Sequence, residues 1–482
     1  MSIYLILLGA PLAAGLAALV IGSDKYRPWV LPFGCVVHAA AVAACWRSLP
    51  PASSSGWFYI DSIDLLVLGL SSALFLICSV YCLEYLRLRK DRPNRLFTAC
   101  FSFILAAVTL VCVSRHMGLL WVGMEAATLA AAPLVHFDHN ERSLEATWKY
   151  LMMGSLGIGL ALLGTFFLAL SALLQGGTGD PLVIDTLLSG ARTLSVPWLK
   201  GAFIFLLVGY GTKMGLAPLH SWKPDTYGES PGVAGVILAG VLTSTAFLGI
   251  LRAFQICAAA GLADFARDLL VLIGLLSIAT AAAFIIGQRD FKRMLAYSSV
   301  EHMGIAALGV GLGPAGTFAA LLHLINNGLT KGVLFLTAGN IHRAFGGKTM
   351  DHAHGALRRV PISATLFLLG FVAITGSPPF APFVSEFSIL RAAVNGNRFG
   401  VALGFVAFLA VIFIGMATTV LSVVYGLPPG KESDHSAEAD SPLMVAAPLA
   451  LMAAVVFFGL WLPGWLTAVL GDAAKLLNGG AS

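Results

Sequence analysis

Charged side chains stand inside long apolar stretches of this 482-residue sequence. They are Glu125 in LLWVGMEAATLAA, Lys213 in LLVGYGTKMGLAPLHSW, Lys331 in LLHLINNGLTKGVLFL and Glu386 in ITGSPPFAPFVSEFSIL. His323 precedes Lys331 by a little over two helical turns, so these two side chains share one helix face. Acids, lysines and a histidine in separate apolar segments predict proton transfer, because burial and neighbouring charges tune the pKa of such groups.

Each of these side chains also has a purely structural explanation. Glu125 and Lys213 could form an ion pair that only joins two helices, and Lys331 could do the same or reach the membrane surface. A lone histidine such as His323 could simply bond a backbone carbonyl. Taken together, the groups favour a proton relay, because lysine can gain and lose a proton when buried whereas arginine stays charged.

Prolines interrupt two of these segments. Pro218 follows Lys213 by about one turn, and Pro378 and Pro379 precede Glu386. A proline inside a helix removes a backbone hydrogen bond, and irregular backbone at membrane depth survives only inside protein or beside water. Paired interrupted helices in two halves of a chain are typical of inverted-repeat transporters. The alternative is a pair of ordinary packing kinks.

Other polar side chains form an auxiliary group of candidates. Their imidazole, hydroxyl, guanidinium and amide groups could hold water between the charged residues, or could only join helices by hydrogen bonds. The auxiliary candidates are His220, Thr243, Ser244, Arg252 and Asn327.

Composition places all these residues in a membrane protein. Hydrophobic residues make up 58% of the chain and charged residues 11%, with a mean hydropathy of +0.87, whereas an average soluble domain is about 25% charged. These values exclude a soluble globular domain, a disordered chain and a disulfide-rich secreted domain. The net charge of +5 is scattered, so we expect no nucleic-acid partner. The seven cysteines form no CxxC motif, so we expect no metal ligands, cofactor-binding residues or catalytic redox centre.

The elements that position the charges are predicted to be membrane-spanning helices, each of about 20 apolar residues. The sequence predicts an all-α polytopic membrane protein with about fourteen spans and two longer linkers, 175–198 and 427–441. The predicted spans are 3–22, 28–46, 60–83, 96–114, 117–135, 148–174, 199–221, 231–255, 268–288, 294–313, 316–341, 360–390, 399–426 and 442–470.

Basic residues predict the orientation of the chain. The odd-numbered loops, to which we assign Lys223, Lys292 and Lys431, carry most of the lysines and arginines, while Arg115 and Arg252 are assigned to even-numbered loops. Positive residues favour the cytoplasmic side. We therefore expect both termini on the outer, periplasmic side of a bacterial or archaeal inner membrane.

Four motifs occur in an order that resembles a known family. They are GYGTKMGLAPLHSWKPDTYGESP, RDFKRMLAYSSVEHMG, LTKGVLFLTAGNI and GSPPFAPFVSEF. Together they resemble the antiporter-like proton-pumping subunits of respiratory complex I and its relatives. The run SLEATWKYLMMGSLGIGLALLGT looks most like the F-type membrane subunit of hydrogenase-4 and formate hydrogenlyase complexes, the group 4 nickel–iron hydrogenases.

This resemblance implies fourteen helices, two inverted five-helix repeats, and breaks in spans 7 and 12. It divides the chain into 1–114 with spans 1–4, 115–255 with spans 5–8 and the first half-channel, 256–426 with spans 9–13 and the second repeat, and 427–482 with a linker and span 14. The first repeat would begin at span 4, near residue 96.

The resemblance also implies roles. Glu125 on span 5 would control Lys213, the proton-holding lysine of the first half-channel. His323 and Lys331 on span 11 would form the central connection, and Glu386 would be the exit group of the second half-channel.

One departure from the family concerns span 8. Close relatives often carry a lysine or histidine there, whereas LAGVLTSTAFLGILR offers only Thr243, Ser244 and Thr245. The lysine-to-lysine relay is therefore expected to be incomplete unless hydroxyl-bound water bridges it.

The expected function is a proton-translocating membrane subunit of a hydrogenase or complex I-like oxidoreductase. Its partners would be other antiporter-like membrane subunits and a peripheral redox module that holds the nickel–iron and iron–sulfur centres. Three alternatives are open: a sodium/proton antiporter subunit of a multisubunit cation exchanger, an ion-coupled subunit of an inorganic-carbon uptake complex, and a membrane anchor with a vestigial pump.

Overall fold

A computed structural model describes residues 2–53, 56–174, 179–427 and 440–479 of the chain. Helices form nearly all of its regular structure. Within these residues, extended pairing is limited to three isolated bridges, Phe58 with Ser114, His116 with Val183, and Asp290 with Thr349. The prediction of an all-α fold is confirmed.

The described residues of the first half of the chain fold into ten helices. They are α1 (Ser2–Val20), α2 (Val30–Arg47), α3 (Ser62–Leu88), α4 (Arg95–Val113), α5 (Met117–Val135), α6 (Glu141–Leu173), α7 (Ile184–Ser189), α8 (Val196–Met214), α9 (Trp222–Glu229) and α10 (Gly232–Ala259). Short 3₁₀ turns at Arg27–Trp29, His136–Asp138 and Ala191–Thr193 link some of them, and α10 contains a π-helical segment, Ile237–Leu242.

The second half of the described chain adds nine helices. They are α11 (Ala263–Ile285), α12 (Phe291–Gly311), α13 (Pro314–Phe345), α14 (Ala356–Arg359), α15 (Pro361–Ile374), α16 (Ala381–Asn395), α17 (Phe399–Tyr425), α18 (Pro442–Leu460) and α19 (Gly464–Leu477).

Eleven helices of the described residues are long and apolar enough to cross a membrane. In α10 and α13 the whole of the most apolar stretch is buried, so these two helices lie at the centre of the bundle. Peripheral helices expose large apolar side chains such as Leu16, Phe33 and Leu403, as expected of surfaces that face lipid. A multi-pass membrane protein is confirmed, while the count of fourteen spans, the inverted repeats and the division of the chain stay predictions.

Both predicted interruptions lie where the prolines indicate. Helix α8 ends before Gly215, whose φ is +79°, and α9 begins only at Trp222. Helix α15 ends before Gly376, whose φ is +69°, and α16 begins at Ala381. A cis peptide bond precedes a proline in each break, at Pro218 and at Pro379. Only glycine adopts such left-handed backbone conformations without strain, so it ends each first half-helix.

One predicted span and one predicted linker are organised differently in the structure. The last span, 442–470, is divided at Trp461–Pro463 into α18 and α19, because proline cannot donate the hydrogen bond that would continue the helix. The predicted linker 175–198 contains α7 and the turn Ala191–Thr193. Residues 175–178 of that linker, and 428–439 of the linker 427–441 with Lys431, lie outside the described residues.

Small residues bring the functional helices close together. A Cβ at Gly209 of α8 would stand 2.6 Å from the Gly157 carbonyl of α6, and Gly164 lies equally close to α8. Gly274 of α11 and Gly304 of α12 approach each other in the same way. Such contacts are typical of membrane helices, which gain stability from close packing and not from burial out of water.

Candidate functional site

Three helices enclose Lys213 on the last turn of α8, where only 6% of its surface is exposed. Its Nζ donates a hydrogen bond to the Thr128 hydroxyl of α5 and lies 5.3 Å from the ring centre of Tyr150 on α6. Gly154 of α6 leaves room for the amine, since a Cβ there would stand 2.6 Å from Nζ. The amine is thus held by a hydroxyl and an aromatic face, which stabilise a cation without removing its proton.

Glu125 lies one turn before Thr128 on α5 and interacts electrostatically with Lys213. Within the described part of the chain, Glu125 and Lys213 form no direct ion pair, and the buried Oε2 of Glu125 has no hydrogen-bond partner. The geometry therefore does not favour an ion pair that only joins two helices. A carboxylate near a lysine but not bonded to it can bias the protonation of that lysine without fixing it.

Helix α13 carries the two predicted central residues, and both are completely buried. Nζ of Lys331 donates to the Leu295 carbonyl of α12 at 3.3 Å, and Glu301 of α12 interacts with Lys331 electrostatically. His323 also contacts α12, as expected for two side chains on one helix face. A lysine whose only hydrogen bond is to a carbonyl can lose its proton more easily than one in a tight ion pair.

Glu301 and His302 of α12 are functional candidates that we did not select from the sequence. Nδ1 of His302 lies 3.1 Å from Nε2 of His323 and 3.8 Å from Oε1 of Glu386. Nε2 of His302 lies 3.7 Å from Oε2 of Glu301, and Nδ1 of His323 lies 3.0 Å from the Ser385 hydroxyl. The signal was present, because an acid beside a histidine in the apolar run AYSSVEHMGIAALG is costly to bury without a purpose.

Glu386 lies on the second turn of α16 and is 6% exposed. Its carboxylate packs against Gly376 in the break, where any side chain would collide with it. Oε1 is buried with no hydrogen-bond partner among the described residues. The break thus makes space for a carboxylate that is not fully satisfied by the protein.

One group of side chains in the described residues has the spacing of a metal site. His302, His323 and Glu386 each offer one ligand atom, and these atoms lie within 4.8 Å of one another. Two imidazoles and a carboxylate are ligands that zinc accepts. The absence of metal and cofactor ligands, expected from the cysteines, stays a prediction.

The auxiliary candidates differ in their surroundings. Both amide atoms of Asn327 and Nδ1 of His220, which lies in the break after α8, are buried without hydrogen-bond partners among the described residues. Thr243 and Ser244 follow the π-helical segment Ile237–Leu242 and donate to carbonyls four residues earlier. Their hydroxyl protons are therefore already used by their own helix.

Arg252 belongs to a separate ion-pair cluster. We assigned it to a loop, but it is completely buried on α10 and donates to Asp61 at 2.8 Å and to Asp64 at 2.6 Å. Arg115, also assigned to a loop, is buried and donates to Asp61 at 3.0 Å. Burial alone would raise the pKa of Asp61, but Arg252 and Arg115 hold it well below its usual range. The auxiliary role of Arg252 stays a prediction, and these contacts favour a structural one.

Two lysines assigned to loops also lie inside the protein. Lys223 is completely buried on α9, and its Nζ donates to the Ser299 hydroxyl of α12 at 3.0 Å. Lys292 is 1% exposed on the first turn of α12 and donates to the Ser230 carbonyl at 2.6 Å. We assigned both residues to loops because their neighbours in the sequence are polar.

Seven ionisable side chains on α5, α8, α12, α13 and α16 form one set, which we call the buried file. Its members are Glu125, Lys213, Lys331, Glu301, His302, His323 and Glu386. Electrostatic interactions join Glu125 to Lys213, Glu301 to Lys331 and Glu301 to Glu386. Such a set can hold protons at several positions inside a low-dielectric interior.

Comparison with known proteins agrees with the motifs. The family model described as NADH:quinone oxidoreductase/Mrp antiporter, TM matches residues 114–414. The hydrogenase-4 component F homolog of Methylacidiphilum infernorum (isolate V4) is 33% identical over 425 residues, which cover 86% of this chain and 88% of the relative. The resemblance stated from the sequence is confirmed.

Two solved structures share the fold. A chain of the membrane-bound sulfane sulfur reductase, an archaeal respiratory membrane complex, has a TM-score of 0.88 at 20% identity over 99% of this chain and 98% of its own length. A chain of the Mrp complex from Dietzia sp. DQ12-45-1b has a TM-score of 0.86 at 19% identity over 99% and 97%. At these sequence identities the structural similarity shows a common fold and nothing about function. With the family match, it follows that this chain belongs to the NADH:quinone oxidoreductase/Mrp antiporter transmembrane family, as an antiporter-like membrane subunit.

Proposed function

We propose that this chain moves protons across a membrane through the buried file, as a subunit of a hydrogenase or complex I-like oxidoreductase. The observation that carries the proposal is the file itself: six of its seven side chains are buried inside the helix bundle, and Glu125 is half-buried, although each charge is costly there. Ionisable groups that are buried in the membrane interior despite this free-energy cost are typical of ion transport.

Electrostatic coupling would drive the transfer. In a low-dielectric interior, a proton gained at one group changes the proton affinity of the next over several ångströms. Glu125 acts on Lys213 in this way, and Glu301 acts on both Lys331 and Glu386. A charge that changes at one end of the buried file can therefore release a proton further along it.

The two histidines would carry the proton toward Glu386. With their nearest nitrogens 3.1 Å apart, one imidazole of His302 and His323 donates to the other. His323 can also exchange a proton with the Ser385 hydroxyl at 3.0 Å. Imidazole suits this role because each ring nitrogen can act as donor or acceptor.

Unpartnered polar atoms mark where water would complete the route. In the described residues they include Oδ1 of Asn326, both amide atoms of Asn327, Oε2 of Glu301 and Oε1 of Glu386. Buried polar atoms of native proteins nearly always have partners, and buried water commonly serves such atoms. We infer that ordered water joins α13 to the acids on α12 and α16.

The energy would come from partner subunits. A peripheral redox module would hold the nickel–iron and iron–sulfur centres, and other antiporter-like subunits would lie beside this chain in the membrane. Both termini would face outward from the inner membrane of a bacterium or archaeon. The segments 115–255 and 256–426 would provide the two half-channels.

A sodium/proton antiporter subunit of a multisubunit cation exchanger is the second candidate. The family description includes Mrp antiporters, and the fold matches a chain of an Mrp complex. The same buried lysines and acids would serve that exchange, which needs no redox partner.

The test uses the intact complex in liposomes that contain a pH-sensitive dye. Proton movement driven by the electron donor of the complex supports redox coupling, whereas movement driven only by a sodium pulse supports the exchanger. We expect Glu125→Gln to abolish the coupled pH change while the complex still assembles. Glu141→Gln, on the exposed first turn of α6, is the matched control and should leave transport normal. Normal transport with Glu125→Gln would contradict the proposal.

A further inference from the structure

Lys223 is a buried ionisable group that the proposed relay does not yet use. It is the second residue of α9, directly after the first break, and none of its surface is exposed. Its Nζ donates to the Ser299 hydroxyl at 3.0 Å and lies 3.5 Å from the Ser299 carbonyl. Within the described part of the chain, no carboxylate forms an ion pair with it. A lone ammonium in such a place is costly, so the side chain must be able to exist as a neutral amine.

One side of Lys223 faces the end of α8. Its side chain runs across Gly215, where a Cβ would stand 2.7 Å from Nζ. Gly215 follows Lys213 by two residues and closes the same helix. The amine of Lys223 therefore lies against the backbone that holds the first proton-carrying lysine.

The other side of Lys223 faces the second half of the buried file. Lys331 interacts with it electrostatically, so the two amines share one interior region. Ser299, the hydrogen-bond acceptor of Lys223, lies on α12 one turn after Leu295, whose carbonyl binds Lys331. Glu301 follows Ser299 by two residues. Helix α12 thus brings Lys223 next to the groups around Lys331.

A further polar atom points to a proton route at this position. The hydroxyl of Tyr227, one turn after Lys223 on α9, is buried without a hydrogen-bond partner among the described residues. The ring of Tyr227 lies 5.6 Å from the Lys223 amine. An unsatisfied phenol beside an unpaired amine can donate to water that connects them.

The second break of the molecule repeats this arrangement with an acid. There Gly376, with φ +69°, packs against the carboxylate of Glu386 from the following helix. At the first break Gly215, with φ +79°, packs against the amine of Lys223 from the following helix. Each break therefore provides room for one ionisable side chain of the helix that follows it.

We propose that Lys223 is the proton carrier that joins the two halves of the buried file. The inference rests on the proposed function and adds the link that α10 lacks, since the Thr243 and Ser244 hydroxyls donate to their own helix. In the step, the Lys213 ammonium loses a proton and becomes an amine. Hydroxyls or water pass a proton on without net change, and the Lys223 amine becomes an ammonium that next protonates the Lys331 region.

The experiment replaces Lys223 in the intact complex and measures proton movement per electron transferred in liposomes. Lys223→Met cannot hold a proton, Lys223→Arg cannot release one, and Lys223→His can do both. We expect both Lys223→Met and Lys223→Arg to lose at least about tenfold of the coupled transport, and Lys223→His to retain more transport than Lys223→Arg. The matched control is Lys200→Met on α8, whose side chain lies over the Phe265 ring.

The order of the variants separates a proton carrier from a structural cation. A structural cation would be replaced best by arginine, so full transport in Lys223→Arg, or more in Lys223→Arg than in Lys223→His, overturns the inference. Normal transport in Lys223→Met overturns it as well. If the complex with Lys223→Met does not assemble, transport by Lys223→Arg and by Lys223→His is compared instead, and more transport by Lys223→Arg overturns the inference. If Lys213→Ala loses transport while Lys223→Met keeps it, only this inference fails; if Lys213→Ala keeps transport, the proposed function fails.

Discussion

The two broken helices of the molecule share a backbone design but carry opposite chemistry. In the first, α8 and α9, lysines stand on both sides of the break at Lys213 and Lys223. In the second, α15 and α16, the carboxylate of Glu386 lies after the break, near the His302 imidazole. Similar interruptions therefore do not imply similar roles. They provide space, and the side chain that fills the space decides whether a proton is held by an amine or by a carboxylate.

The neighbours of the two breaks sharpen this difference. The lysines of the first break are bound by hydroxyls, from Thr128 and Ser299, and their nearest acid does not pair with them directly. Glu386 instead faces an imidazole at 3.8 Å. The proton leaves lysines whose amines donate to neutral hydroxyls, and it reaches a carboxylate beside histidines. It therefore passes between groups of different charge type, and the charge on the path changes sign between its two ends.

Apart from the loss of Glu125 or Lys213, the largest effect is expected at the centre, between the two breaks. We predict that Lys331→Met lowers coupled proton transport about 100-fold, because Lys331, whose amine donates to the Leu295 carbonyl, holds the proton between Lys223 and the acids on α12 and α16. Proton uptake and electron transfer would be measured together in liposomes. Lys475→Met on α19, which is exposed, is the control. Transport equal to that of the control would show that the two halves are not connected through α13.

A smaller effect is expected at the second break. We predict that Glu386→Gln lowers transport about tenfold, because protons that reach His302 and His323 must then leave through water without the carboxylate that follows them. Removing the acid in a His302→Asn background should then abolish the remainder. If Glu386→Gln alone stopped all transport, protons could not leave the histidines without the carboxylate, and the second break would resemble the first more closely.

The glycines of the two breaks allow a direct comparison. Ala at Gly215 or Gly376 forces a left-handed φ on a residue with a Cβ, at about 1–2 kcal/mol, and also pushes into Lys223 or Glu386. We predict a lower midpoint of thermal inactivation together with a several-fold loss of transport. Gly346→Ala is the matched control, because its φ is +67° but nothing lies within 4 Å of the new Cβ. If the control loses as much transport as the other two, backbone strain and not crowding of the ionisable groups is responsible.

The smallest effect on transport is expected outside both breaks. Asp61→Asn leaves Arg252 with Asp64 as its remaining carboxylate partner and weakens the bond from Arg115. This should destabilise the protein by about 1–3 kcal/mol, but transport per assembled complex should be unchanged. The pKa of Asp61 is lowered in the folded protein. Its contribution is therefore present at neutral pH and is lost only as the pH falls through that low value. Thermal inactivation of wild type and Asp61→Asn at neutral and acidic pH measures this, and a loss of transport would place Arg252 in the proton route after all.

The sequence was most informative where one charge stood alone in an apolar run. Glu125, Lys213, Lys331 and Glu386 could be selected because each is surrounded by residues that favour lipid or a core. The prolines likewise predicted both breaks, since a missing backbone donor has a local consequence.

The remaining candidates depend on packing that no local pattern shows. Lys223 follows a break and stands beside Pro224 and Asp225, so its sequence is typical of a loop, and only the return of the chain toward α12 buries it. Glu301 stands beside His302 in an apolar run, but its electrostatic interaction with Lys331 joins two helices, and no local pattern shows that contact. The pairing of Arg252 with Asp61 joins residues far apart in the chain, and a single sequence does not reveal such contacts.

The most direct test of proton movement through the buried file is the number of protons moved per electron pair by the complex with Lys213→Ala in liposomes. We predict that electron transfer continues while the coupled pH change disappears, with Lys200→Ala on the same helix behaving as wild type. An unchanged ratio of protons to electrons in Lys213→Ala would contradict the account.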